Sequence, residues 1–377
     1  MKEFIEANHQ PMVELIESLV NIDSGSYLKS GIDRVGEVLA EEYKMIGFDT
    51  EVHEQEHFGN NLVIRHPEAK TPEIVMIAHL DTVFPEGTAK KRPFHVADDL
   101  AHGPGVIDMK ASHATALFAI KALMSSGSEA YKNVVLVLNT DEEIGSVASR
   151  SLIERIAADK KYALILEPAQ NGQLVSERKG GGKYFLNVFG KSAHAGIEPE
   201  NGASAIEELA RKILKLHALS EPEKGITVNV GLIKGGTSVN TIAPFAEAGI
   251  DLRIETSEDG ERLDRAIKEI CSYTETPGTT VEVTGHITRP AWVLTEESRR
   301  LIDIIAEEGA KLGMSLKHER SGGGSDANLT AHVGIPSIDG LGPVGGNAHQ
   351  ETEYLVVSSL TERTLLLANV IERLSGG

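Results

Sequence analysis

Cysteine is nearly missing from this chain: Cys271 is the single one among 377 residues. No intrachain disulfide can form, so the fold must rest on its core, and a reducing, cytoplasmic setting fits. Positive charge is also short. There are 37 Lys and Arg against 56 Asp and Glu, for a net charge of −19. A surface of that sign repels phosphate backbones, so no nucleic-acid partner is expected. Long apolar runs are lacking too. The opening stretch, MKEFIEANHQPMVELIESLV, has no unbroken hydrophobic segment suited to a signal peptide or a membrane span, and no membrane association is expected. It reads as an amphipathic helix with Met12, Leu15, Ile16 and Leu19 on one face.

What is present is ordinary globular material, 41% hydrophobic and 25% charged. The length exceeds what one core usually supports, which predicts two domains. In the first half, NLVIR (61–65), EIVMIAH (73–79), NVVLVLNT (133–140) and ALILE (163–167) read as buried strands. SHATALFAIKALMSS and SVASRSLIERIAADK read as helices between them. Such alternation predicts an α/β fold, a mixed and mainly parallel sheet with helices on both faces.

From residue 179 to 289 the order becomes β-α-β-β-α-β, that of a ferredoxin-like unit. This predicts a smaller domain inserted into a larger one formed by 1–178 and 290–377. The edge of its sheet is a candidate homodimer surface. SRRLIDIIAEEGAKLG and SSLTERTLLLANVIERL read as helices of the last segment.

Five places could carry chemistry. His79 and Asp81 close a strand and share a face, so Asp81 can accept the second ring N–H of a metal-binding histidine. Asp108 follows Gly103-Pro104-Gly105 at a helix start, where capping is the ordinary role. Glu142 and Glu143 follow a buried strand, and adjacent side chains there diverge, one toward a metal and one toward a water. Glu167 closes ALILE, and His349 lies in a late Gly-rich loop. Each alone has a plain structural explanation. Together, most of them fall at the carboxyl ends of strands expected to be parallel, the edge where open α/β sheets bind ligands. Two histidines with several carboxylates make an N/O set suited to Zn²⁺ or a similar divalent ion, with Mn²⁺ and Co²⁺ as alternatives. With one cysteine, a closed structural zinc site is not expected.

The succession HLD, GPGVIDMK, TDEEIG, a strand-end Glu and a late AH resembles the zinc-dependent aminoacylase/carboxypeptidase superfamily of co-catalytic metallopeptidases. The GPG form, EEIGS, Glu167 and KSAHAG together resemble its glutamate carboxypeptidase branch most. Pro104 and Ala111 stand where many members carry Arg and Gly. The resemblance implies a catalytic domain in 1–178 and 290–377 with 179–289 as its lid or dimerisation domain, and two divalent ions per chain: His79 and Glu167 on one, His349 and Glu143 on the other, Asp108 bridging. It implies Glu142 as general base, Asp81 as the residue orienting His79, and His194 reaching a neighbouring subunit's site to stabilise an oxyanion. Arg253 and Asn240 resemble substrate-holding residues, and Gly323 and Gly324 of the GGGSDA loop offer backbone N–H groups to a substrate carboxylate. The implied substrate is a small peptide or N-acyl amino acid with a free carboxylate, cleaved to release a C-terminal residue such as glutamate. Deacetylase or desuccinylase activity is the alternative, and a catalytically inactive binding protein on the same fold is a further one.

Overall fold

In a computed structural model that describes residues 1–169 and 171–376, the chain divides into two compact units. One comprises 1–177, 294–321 and 325–377; the other comprises 178–293 with 322–324.

The first unit is built on a six-stranded sheet. Its order is Asp49–His53, Asn61–Arg65, Val134–Asn139, Ile74–His79, Tyr162–Ile165, Ser337–Ile338. Val134–Asn139, Ile74–His79, Tyr162–Ile165 and Ser337–Ile338 run parallel, while the first two strands pair antiparallel. The sheet is therefore mixed and mainly parallel. Every residue of Ile74–His79 and Val134–Asn139 is buried, as strands covered on both faces require. Asp49–His53 escapes a reading by hydrophobic pattern because DTEVH is polar and partly exposed, an edge strand.

The helix Ala111–Ser125 is buried for most of its circumference and packs against His9–Val20 and Ser359–Leu374. Its small Ala111, Ala114, Ala119 and Ala122 are fully covered, which lets these neighbours approach closely. Met12, Leu15, Ile16 and Leu19 of the amino-terminal helix are all in this core. The helix expected over 146–160 is shorter, Arg150–Ala157, because the residues before it form a polar turn.

The second unit is a four-stranded antiparallel sheet, ordered Thr227–Gly235, Phe245–Ile254, Gly180–Phe189, Thr280–Arg289. With helices Ala205–His217 and Ser257–Cys271 it follows β-α-β-β-α-β. Tyr184, Leu186 and Val188 alternate with solvent-side residues along their strand and meet Leu209, Leu263 and Ile267 of the helices in one core. Ser204 and Thr256 cap the two helices, accepting from the N–H groups of Glu207 and Asp259. No helix among the described residues is long and apolar enough to cross a membrane.

Candidate metal centre

Three parallel strands end side by side, and the site is built at and just beyond their carboxyl ends. His79 is the last residue of its strand and is buried. Its Nδ1 donates to the backbone carbonyl of Asp81 at 2.9 Å, which leaves Nε2 to face the site. That Nε2 lies 3.1 Å from Asp108 Oδ1 and 3.7 Å from Glu167 Oε1. Glu167 stands two residues beyond its strand, which ends at Ile165 rather than at the glutamate, and it is buried all the same.

Asp108 sits in the tight turn Val106–Lys110, at φ −116° and ψ 89°, outside helical space. Gly105, at φ +71°, lets the chain enter that turn, and a Cβ there would stand 2.4 Å from the Thr82 side chain. Asp108 makes no capping bond. Its Oδ2 faces His349 Nε2 at 3.1 Å, while Oδ1 faces His79. His349 is also 3.1 Å from Glu143 Oε2. His349 adopts φ +66°, a left-handed conformation costing a non-glycine residue on the order of 1 kcal/mol and concentrated at functional sites.

Glu142 and Glu143 lie in a short 3₁₀ turn that Gly145 ends at φ +104°. One ligand-type atom each of His79, Asp108 and Glu143 lie within 4.8 Å of one another, and the same holds for His79, Glu142 and Glu167. Asp81 differs in detail from the sequence reading. Its carboxylate lies 3.4 Å from His79 Nδ1, farther than its own carbonyl. It instead accepts from Ser26 Oγ at 2.7 Å and from the N–H groups of Glu142 and Glu143 at 3.2 and 3.3 Å. Asp81 thus braces the turn that carries both glutamates.

The electrostatics describe a site short of positive charge. Burial opposes protonation of His79, yet Glu167, Asp108 and Asp81 raise its pKa well above the usual histidine range. Hydrogen bonds that its ring donates to Asp108 and Glu143 push His349 up to about 11. Burial, then the Asp108 charge, hold Glu167 well above the ordinary carboxyl value, and burial also raises Glu143 above its ordinary value. Buried charges of this kind are paired or coordinate metals. Glu143 Oε1 is buried with no hydrogen-bond donor among the described residues, an acceptor that a cation would satisfy. The donor set, two imidazoles and several carboxylates, fits divalent ions that take nitrogen and oxygen.

Several supporting residues give no motif. Ser26 holds Asp81 across 55 residues. Asp326 accepts from Asn139 at 2.7 Å and Ser146 at 2.5 Å, tying the glutamate turn to a late segment. Asp141 accepts from Ala148 N–H at 2.6 Å and Ser149 Oγ at 2.5 Å, closing the same turn. Glu353 accepts three backbone N–H bonds around Asp108.

The remaining candidates lie in the second unit. His194 is exposed, and its loop joins that of Asn240 through Ala195 N–H to Asn240 O at 3.0 Å. Arg253 holds Asp251 through Nε at 2.9 Å and a guanidinium nitrogen at 3.2 Å. Its fork is engaged by a neighbour two positions away on the same face. Gly323 is exposed and accepts from Arg178 at 3.0 Å, and the half-buried Gly324 follows it.

An α/β sheet with imidazoles and carboxylates gathered at its carboxyl edge is the architecture of a metal-dependent hydrolase. The chain belongs to peptidase family M20/M25/M40, whose pattern matches residues 75–373. It is 32% identical to carboxypeptidase G2 of Pseudomonas sp. (strain RS-16), covering 98% of this chain and 91% of that protein. Among solved structures, aminopeptidase PepT from Bacillus cereus superposes with a TM-score of 0.78 at 25% identity, over 97% of this chain and 98% of that one. The M20 family metallo-carboxypeptidase Sso-CP2 from Sulfolobus solfataricus superposes with a TM-score of 0.79 at 19% identity, over 96% and 98% of the two chains. That last likeness is one of fold.

Proposed function

We propose that this hydrolase is a co-catalytic metallopeptidase that removes a carboxyl-terminal amino acid, glutamate among them, from a small peptide or N-acyl amino acid. The observation that carries the reading is Asp108, whose two oxygens address two different imidazoles at 3.1 Å each. His79 and Glu167 would hold one divalent ion and His349 and Glu143 the other, with Asp108 shared and Zn²⁺ the first choice for the donor set. Such ions supply Lewis-acid polarisation of the scissile carbonyl and acidify water. Glu142, braced through its N–H by Asp81, takes the proton of the attacking water and delivers it to the leaving nitrogen as the C–N bond breaks. The likeness to carboxypeptidase G2 across nearly the whole chain supports release from the carboxyl end.

The test is a panel of peptidyl and N-acyl amino acids assayed with Zn²⁺, Mn²⁺ and Co²⁺. Release of C-terminal glutamate or a similar residue at the highest kcat/KM is expected. Faster cleavage of acetyl- or succinyl-amino acids would move the function to deacylation, and no cleavage of any member would reject it.

The same reading makes the protein a homodimer in which His194 serves the partner's site. Thr227–Gly235 is a sheet edge carrying exposed Leu232 and Ile233, beside exposed Ile206 and Leu214 of helix Ala205–His217. Unpaired edges with apolar side chains pair readily with a second copy. Mixing inactive Glu142→Gln with inactive His194→Ala protein should restore part of the activity through hybrid dimers. A mixture as inactive as its components would remove the role in trans.

A further inference from the structure

The two imidazoles of the candidate centre are held in different ways. His79 is buried at the end of a central strand, and its Nδ1 is fixed by the Asp81 carbonyl. The His349 side chain is 52% exposed, sits at φ +66°, and has no hydrogen bond at Nδ1 among the described residues. Metal-binding histidines are normally oriented by such a bond. What holds His349 in register with Asp108 must therefore be its loop.

Glu353 lies four residues after His349 and is buried. Its Oε1 accepts from the N–H groups of Ile107 at 2.9 Å and Asp108 at 3.1 Å, and its Oε2 accepts from Gly105 N–H at 3.0 Å. One carboxylate thus takes three N–H groups of the turn that aims Asp108. Its own backbone is tied on both sides. Its N–H donates to Gln350 O at 3.1 Å, closing the turn after His349, and His102 Nδ1 donates to its carbonyl at 3.0 Å. The next residue, Tyr354, pairs with His102 in antiparallel register. The strand Leu100–His102 then leads directly into Gly103 and Asp108. The segments bearing Asp108 and His349 are therefore cross-braced at one buried acid, 245 residues from Asp108 along the chain.

We propose that Glu353 is a positioning residue that sets the spacing of Asp108 and His349, so that its loss weakens the ion held by His349 and Glu143 ahead of the ion held by His79 and Glu167. The proposal rests on the two-ion reading of the centre. His79 and Glu167 take their places from strand ends and burial, and Glu353 touches neither. His349 instead sits on an exposed loop, closed on itself by Asn347 and Thr352, and Glu353 is the buried side chain that ties this loop to the Asp108 turn. Charged acceptors of backbone N–H bonds are the stronger kind, and outer-shell partners of this sort typically govern metal affinity by about 10–100-fold.

Glu353→Gln is the sharpest variant, because the amide keeps the shape but turns an NH₂ toward one of the N–H donors. Equilibrium dialysis against graded free Zn²⁺, with elemental analysis, gives the affinity of each ion in wild type and variant, and a thermal melt is recorded alongside. The expected result is one ion at wild-type affinity and a second weakened by about 10–100-fold, with kcat recovering as Zn²⁺ is raised. Two ions at unchanged affinity would overturn the proposal. So would equal weakening of both ions in step with a lower melting temperature, which is what a merely structural role gives. Wild type binding no ions would instead remove the two-ion reading and this inference with it. Should the glutamine variant not fold, Glu353→Asp carries the same test, since it keeps the charge and withdraws it by one methylene.

Discussion

Glu142→Gln is expected to lower kcat by about 10²–10⁴-fold, the usual contribution of a general base, while leaving two metal ions on the chain. Glutamine keeps the size of the side chain but takes up no proton near neutral pH. The turn does not depend on that side chain, because Asp81 holds the N–H groups of Glu142 and Glu143 at 3.2 and 3.3 Å. Paired measurement of kcat and metal content separates the roles open to this residue. A carboxylate oxygen of Glu142 lies within 4.8 Å of ligand-type atoms of His79 and Glu167, so position alone allows it to be a ligand. Loss of an ion together with activity would make it one; loss of activity alone makes it the base.

Asp108→Ala is the second large effect. Turnover is expected to fall to background, and the affinity for both ions to drop by more than the roughly 100-fold that marks the upper range for outer-shell changes. The reason is the division of its oxygens, Oδ1 toward His79 and Oδ2 toward His349. Removing it also leaves Glu143, Glu167 and two imidazoles without their shared neighbour. The check is a Zn²⁺ titration of the folded variant. One ion retained at wild-type affinity would show that Asp108 serves a single position.

Much of this site can be read in the sequence, and the reason is topological. His79 ends an apolar strand, Glu142 and Glu143 follow another, and Glu167 follows a third, so buried runs punctuated by acids or histidine mark one sheet edge. The inserted unit is legible for a similar reason. Its strands alternate with period two, as in Phe245–Ile254, and its helices carry Ser and Thr caps. What cannot be read locally is the bracing. Ser26, Asp326 and Glu353 act on partners 55, 187 and 245 residues away, and in a chain with 56 acidic residues nothing marks those carboxylates as special. The role of Asp81 shows the limit most plainly. Its proximity to His79 follows from strand geometry, but the bonds of its carboxylate to the Glu142–Glu143 turn depend on where another strand ends. Arg253 is the opposite case. Asp251 two positions before it on a strand shares its face, so the ion pair that engages its guanidinium follows from the spacing alone.

The central claim is a pair of ions around Asp108. Elemental analysis of wild-type protein, stripped with a chelator, reloaded with Zn²⁺ and freed of excess, tests it without reference to any substrate. About two ions per chain, restored together with activity, is the expected result; a folded protein that binds none after reloading would contradict it.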